Sequence, residues 1–186
     1  ALFSVTGPDG EPIGSFSTNA EGEILIPLTL SGLYTVTEEV PPRWHLLPEE
    51  RTQQVTVRHG ETAEVTFWNE PYGNIRIEKY SDTGEPLEGV TVQIENLETG
   101  ATQSGQTGPG GAIDFTELAP GGYEVRETAG IPGWQADTAV KTATVVSGET
   151  STVTFTNKEL PGLRIVKYDR ESLRVLPGVT FRVWRD

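Results

Sequence analysis

The pattern of apolar and polar positions along this chain is one of short alternation. In "NIRIEKY" (74–80), Ile75 and Ile77 alternate with Arg76 and Glu78. Successive side chains on a strand point to opposite faces, so the two isoleucines share a face. The next position on that face is Lys79. In "YEVRE", Tyr123 and Val125 lead in the same way to Glu127, and in "VTFTN", Val153 and Phe155 lead to Asn157. Such runs predict strands near 74–80, 90–95, 101–104, 112–115, 122–128, 139–146 and 150–157. Turns are predicted between them at "DTGEP", "ETG", "GPGG", "LAPGG", "GIPGW" and "SGE". No sustained apolar stripe at i, i+3, i+4, i+7 competes with this reading. The chain is therefore expected to be all-β, with two-sheet sandwiches joined by Greek-key-like connections.

The pattern also repeats. "GVTVQI" (89–94) returns as "GVTFRV" (178–183), and "ALFSV" at residue 1 fits the same template. Phe3, Val92 and Phe181 are then in register at a spacing of 89 (92 − 3 and 181 − 92). Tyr34 in "GLYTVTEE" matches Tyr123 in "GGYEVRET", again 89 apart (123 − 34). "ETAEVTFWNE" matches "ETSTVTFTNK", placing Asn69 against Asn157 at 88 (157 − 69). "GNIRIEKY" matches "GLRIVKY", placing Lys79 against Lys167, also at 88 (167 − 79). Three units are expected: 1–70, a repeat without its first strand; 71–160, a complete repeat; and 161–186, the first two strands of a third. The joints "NEPYGN" and "NKELPGL" are short and contain proline, which suits units strung end to end with limited freedom. The abrupt start on "ALFSV" and stop on "FRVWRD" read as a fragment of a longer protein.

Composition narrows the function. A net charge of −13 argues against a nucleic-acid partner, because phosphate binding needs a cationic surface. No apolar run is long enough for membrane insertion of this segment. The chain has no cysteine and only two histidines, His45 and His59, so no thiolate or histidine metal cluster and no cofactor are expected. "GPGG" (108–111) is read as a turn, since no helix or Lys-Ser follows it as in a phosphate loop. The acidic "DTGE" and "PDGE" clusters lack calcium-loop spacing. Hydrolytic chemistry lacks a G-x-S-x-G or comparable signature, so an enzyme with turnover is not expected.

Three polar residues, Lys79, Glu127 and Asn157, thus follow apolar pairs on inward faces. The flanking repeats do likewise: Val65 and Phe67 lead to Asn69, Tyr34 and Val36 to Glu38, and Leu163 and Ile165 to Lys167. Three readings are open. Each strand ends there and its polar residue emerges into solvent. Alternatively, Lys79 and Glu127 form a buried salt bridge with Asn157 hydrogen-bonded to it, an arrangement that is costly unless every group is satisfied. In the third reading the trio is reactive. Burial lowers a lysine's pKa and favours the neutral amine, and it raises a carboxyl's. A protonated Glu127 then donates to the Asn157 carbonyl, Lys79 attacks the carboxamide carbon, and ammonia leaves. An isopeptide bond remains, formed once per molecule.

At these residues the sequence resembles the collagen-adhesin B-type (Cna B-type) domains of Gram-positive surface adhesins and pilins. That family shows a first-strand K-Y-D with a following L-x-G-[AV]-x-F, then L-x-P-G-x-Y-x-[VL]-x-E-T, then V-x-[FV]-x-N. Here these appear as "KYSDTGEPLEGVTV", "LAPGGYEVRET" and "VTFTN". The resemblance implies an inverse immunoglobulin-like or transthyretin-like sandwich. It assigns Lys79 and Asn157 as the cross-linked pair and Glu127 as the catalytic carboxyl. In the first repeat Glu38 matches the carboxyl and Asn69 the asparagine, with no lysine in the chain before them. Lys167 matches a lysine whose own partners would lie beyond residue 186.

The implied function is a stalk or filament module on the outside of a bacterial cell, partnered by neighbouring repeats. Strand 161–186 of another copy is a further candidate partner, placing Lys167 near Asn69 and Glu38 by strand complementation. The alternative is a ligand-binding adhesin that contacts a host protein or glycan through loops, with Trp44, Trp68, Trp134 and Trp184 as anchors.

Overall fold

The computed structural model describes residues 1–184, and every regular element in it is a strand. Residues 2–57 form one antiparallel sheet from β1 (Leu2–Thr6), β2 (Pro12–Ser17), β3 (Gly32–Val40) and β4 (Thr52–Val57), in the order β2-β1-β3-β4. Alternation sends Phe3, Val5 and Tyr34 to the buried face. Phe3 stacks on Phe67, with ring centroids 4.9 Å apart.

Residues 73–159 build a sandwich of two four-stranded sheets. The first contains β5 (Gly73–Ser81), β8 (Ala112–Leu118), β10 (Trp134–Gln135) and β12 (Thr150–Glu159), in the order β10-β12-β5-β8. The second contains β6 (Thr91–Asn96), β7 (Thr102–Gln106), β9 (Gly121–Ala129) and β11 (Val140–Val145), in the order β11-β9-β6-β7. Ile75, Ile77, Val153 and Phe155 from the first sheet meet Val92, Ile94, Tyr123, Val125 and Val145 from the second. Ile75, Ile77 and Phe155 are fully buried, each worth about 1.5–3 kcal/mol relative to exposure. Tyr123 donates its hydroxyl to Ala119 O at 3.0 Å, and Tyr34 donates its own to Leu30 O at 2.8 Å, each four residues back along the chain.

The feature that positions the site is the pairing of β5 with β12. The first and last strands of the sandwich lie side by side and run parallel, from Asn74↔Thr150 to Ser81↔Asn157. At the joint, Tyr72 N–H donates to Trp44 O and Ser147 Oγ to Pro71 O, while His45 and Pro71 form a bridge.

All seven expected strands of the complete repeat are present within a few residues of their predicted bounds. The pattern missed β10, because two residues carry no period. Two expectations outside this sandwich differ. Residues 61–70 keep the alternation, with Val65, Phe67 and Asn69 half-buried and Trp68 exposed, but join no ladder. Ile24, Ile26 and Leu28 behave alike in 24–28. The physical reason is lateral. Their counterparts β12 and β8 both pair with β5, and no strand stands at that place among the described residues of the first unit. Residues 161–184 show one isolated bridge, Tyr168↔Val175, in place of the two expected strands. Two strands with no sheet to pack on bury too little to hold a ladder. Arg185 and Asp186 lie outside the described residues.

Candidate cross-linking site

Lys79 sits near the end of β5, with its backbone fixed from both sides. Its N–H donates to Gly111 O at 2.7 Å, and its carbonyl accepts from Leu87 N–H at 2.9 Å. Gly111 has φ 69°, and a Cβ there would stand 2.5 Å from the Lys79 carbonyl oxygen, so the "GPGG" turn needs glycine at that position. Alternation then points the Lys79 side chain into the sandwich, where it is 0% exposed.

There it meets the other two members of the trio. Lys79 Nζ lies 2.8 Å from Glu127 Oε2 and donates to Asn157 Oδ1 at 2.5 Å. Asn157 Nδ2 donates to Glu127 Oε1 at 2.9 Å. The Glu127 side chain is fully enclosed, and the remaining exposure of that residue is in its backbone. The Asp137 backbone N–H completes the set, donating to Asn157 Oδ1 at 2.8 Å and to Glu127 Oε2 at 3.1 Å. The carboxylate thus presents one oxygen to the amine and the other to the amide nitrogen. The carbonyl oxygen faces two donors. Burial lowers the Lys79 pKa from the ordinary lysine value, against the hydrogen bond and charge of Glu127 and the charge of Asp137, which favour the ammonium. The Phe155 ring lies 5.4 Å from Nζ.

These distances dispose of the first reading of the sequence, in which the strands end and their polar residues emerge into water. They also alter one detail of the reactive reading. Glu127 accepts from the Asn157 nitrogen rather than donating to its oxygen, because that oxygen is already held by the Lys79 amine and the Asp137 N–H. Sequence reasoning did not find Asp137. Its contribution is a backbone amide, which leaves no mark in residue type.

In the first unit Glu38 is fully buried, and Asn69 Nδ2 donates to its Oε1 at 3.0 Å, its Oε2 at 3.1 Å and to Leu46 O at 3.1 Å. The carboxyl and the amide are therefore together, with no lysine beside them among the described residues. Lys167 is exposed, and its carbonyl accepts from Leu176 N–H. Trp134 packs against the core, whereas Trp44, Trp68 and Trp184 are exposed. The His45 ring is hydrogen-bonded at Nδ1 to the Arg43 carbonyl.

The architecture is that of a small β-sandwich module with a buried lysine on its first strand, an asparagine on its last and a carboxyl facing both from the second sheet. Residues 73–159 match the model of the SpaA family, described as a prealbumin-like fold domain. Among solved structures, the shaft pilin SpaA of Lactobacillus rhamnosus GG shares the fold at a TM-score of 0.51 and 13% identity, over 88% of this chain and 88% of that one. The Bacillus anthracis TIE protein is similar at a TM-score of 0.49 and 24% identity, over 86% of this chain and 31% of that one. The major pilin SpaD of Corynebacterium diphtheriae is similar at 0.42 and 23%, over 47% of this chain and 30% of that one. This chain thus spans about a third of the length of the last two. No curated protein matches the sequence.

Proposed function

We propose that residues 73–159 are a self-cross-linking stalk module of a Gram-positive surface filament, in which Lys79 and Asn157 join through an isopeptide bond. The observation that carries this reading is the enclosed trio bridging β5 and β12. Glu127 Oε2 takes a proton from the Lys79 ammonium, a transfer favoured by the lowered lysine pKa. The neutral amine attacks Asn157 Cγ. Charge developing on Oδ1 is held by the Asp137 N–H, as in an oxyanion hole. Glu127 returns the proton through Oε1 to Nδ2, and its Oε2 takes the second proton that the attacking Nζ must lose, leaving Glu127 protonated. The Nζ–Cγ bond forms, the Cγ–Nδ2 bond breaks, and ammonia leaves. Folding supplies the proximity, an effect worth up to about 7–11 kcal/mol of barrier. The reaction occurs once per molecule, so the protein is not an enzyme with turnover.

The product would close a loop spanning 78 residues. It would also tie the first strand to the last, so that a pull on the ends of the sandwich loads a covalent bond rather than a ladder of hydrogen bonds. This suits a stiff module outside the cell, in line with other subunits of a filament. Residues 1–70 and 161–186 are read as partial repeats of the same module. The exposed Trp44, Trp68 and Trp184 are what favours the adhesin alternative. The test is an intact mass of the folded chain. The reading predicts a deficit of one ammonia against the sequence mass, abolished singly by Lys79→Ala, Glu127→Ala or Asn157→Ala. A full sequence mass in well-folded wild type contradicts it.

A further inference from the structure

At the joint between the first sheet and the sandwich, Trp44, Tyr72, Asn74, Thr116 and Glu117 line an open cleft of about 330 Å³. Small-molecule sites begin near about 300 Å³, so the cleft has room for one. Two of its residues stand there in a left-handed backbone that their side chains disfavour, Trp44 at φ 70° and Glu117 at φ 58°. The joint holds Trp44: its carbonyl accepts from Tyr72 N–H at 3.0 Å, and His45 beside it bridges to Pro71. A bulge places Glu117. Between the pairs Gly73↔Leu118 and Ile75↔Phe115, β8 carries two residues, Thr116 and Glu117, opposite the single Asn74 of β5. Such a bulge re-aims the side chains it carries. Glycine would suit either backbone better, and strain of this kind collects where a side chain has a task.

The cleft joins an aromatic wall to polar groups that the fold leaves open. Trp44 is 52% exposed, and the Arg43 guanidinium, which is not part of the lining, stacks on its ring at 4.4 Å from the centroid. Asn74 Nδ2 donates to Thr150 Oγ1 at 3.3 Å. The side-chain polar atoms of Trp44, Tyr72, Thr116 and Glu117 make no hydrogen bond or ion pair among the described residues. One carboxylate and no lysine or arginine line the cleft, which disfavours an anionic ligand. An indole face packs well against the C–H groups of a sugar ring. An amide, a hydroxyl and a carboxylate around it suit sugar hydroxyls, each of which both donates and accepts. We propose that this cleft binds a neutral saccharide, with one pyranose ring stacked on Trp44 and its hydroxyls held by Asn74, Thr116 and Glu117. The proposal deepens the adhesin alternative and is independent of the cross-link. Asn74 and Lys79 are five residues apart on β5 (79 − 74), about 16 Å of strand, so changes in the cleft leave the trio intact.

The experiment titrates the isotope-labelled full chain with free glucose, galactose, mannose and N-acetylglucosamine to high millimolar concentration. It follows the indole N–H signals of the four tryptophans and the Asn74 side-chain amide by NMR. At least one sugar should shift the Trp44 and Asn74 signals saturably and leave Trp68, Trp134 and Trp184 in place. Glu117→Gly relaxes the backbone of an exposed residue, so it should melt no lower than wild type yet bind about tenfold or more weakly, the usual effect of losing a hydrogen bond to a charged group. In Trp44→Ala the Asn74 shift should be lost, whereas Trp68→Ala should bind as wild type does. The intact mass relative to the sequence mass should be unchanged by all three substitutions. Saturable shifts confined to Trp68 or Trp184 would overturn this site and leave the adhesin alternative standing. No shift with any of the four sugars, or a shift produced only by tetramethylammonium chloride, would overturn the proposal. So would sugar binding that survives both Trp44→Ala and Glu117→Gly.

Discussion

Replacing Glu127 by glutamine changes one atom in the enclosed trio and tests both its chemistry and its mechanical worth. The side chain keeps its volume, so the packing around Tyr123 and Val125 on β9 is preserved. It loses the ability to take a proton from Lys79 and return it to Asn157 Nδ2, so the cross-link fails to form. The loop between the two residues spans 78 positions. The chain-entropy estimate used for disulfides assigns such a closure about 4.5 kcal/mol. A glutamine cannot accept from both Lys79 and Asn157 as the carboxylate does, and one poorly met buried polar group costs about 1–3 kcal/mol more. At roughly 4–8 °C per kcal/mol for a domain of this size, the cross-link alone corresponds to a fall of about 20–35 °C in the melting transition of the sandwich. Calorimetry and intact mass on the same samples read both quantities. If the variant loses ammonia as wild type does, the proton-transfer role of Glu127 is wrong. If it lacks the bond yet melts within a few degrees of cross-linked wild type, the loop-closure reasoning is wrong.

Three further outcomes follow from the same geometry. Asp137→Pro removes the N–H that faces Asn157 Oδ1 and slows bond formation by about 10²–10³, the usual effect of losing an oxyanion donor. Asp137→Asn keeps that N–H and removes only a charge that favours the Lys79 ammonium, so it reacts no more slowly than wild type in a time course of ammonia loss after refolding; equal rates for the two variants would discount the backbone amide. In Asn157→Ala the lysine stays unreacted and buried, with a pKa below that of the unfolded chain. Between those two values the unfolded state binds more protons, so stability rises with pH across the window and the full penalty of burying the ammonium applies below it. Urea midpoints across the alkaline range check this, and a midpoint that falls with pH would contradict it. Gly111→Ala forces a left-handed backbone on alanine and drives its Cβ against the Lys79 carbonyl. A loss of about 1–3 kcal/mol is expected in chemical denaturation, with slower cross-linking because Lys79 is displaced.

The fold was legible wherever burial on one face imposed a period of two. Ile75, Val125 and Phe155 announced their strands because each has neighbours on both sides and a facing sheet. The same logic singled out Lys79, Glu127 and Asn157, whose inward placement the alternation gave and the spacing of the repeat reinforced. Alternation reports a face, however, and not a ladder. Residues 61–69 carry the right pattern and remain without a strand partner, because pairing depends on what stands alongside. The short β10 and the turn that delivers the Asp137 N–H were illegible for another reason, since a backbone donor is placed by the path of the chain and any residue but proline supplies it. The direction of the hydrogen bond between Asn157 and Glu127 depended in turn on that donor.

The central claim is a covalent bond between two named atoms, and peptide mapping tests it most directly. Tryptic digestion of folded wild-type protein followed by tandem mass spectrometry should leave Lys79 uncleaved. It should also yield one branched species that joins the segment containing Lys79 to the segment containing Asn157, lighter than the sum of the two by one ammonia. Recovery of the two segments as separate peptides, with cleavage after Lys79 and an unmodified Asn157, would contradict the account.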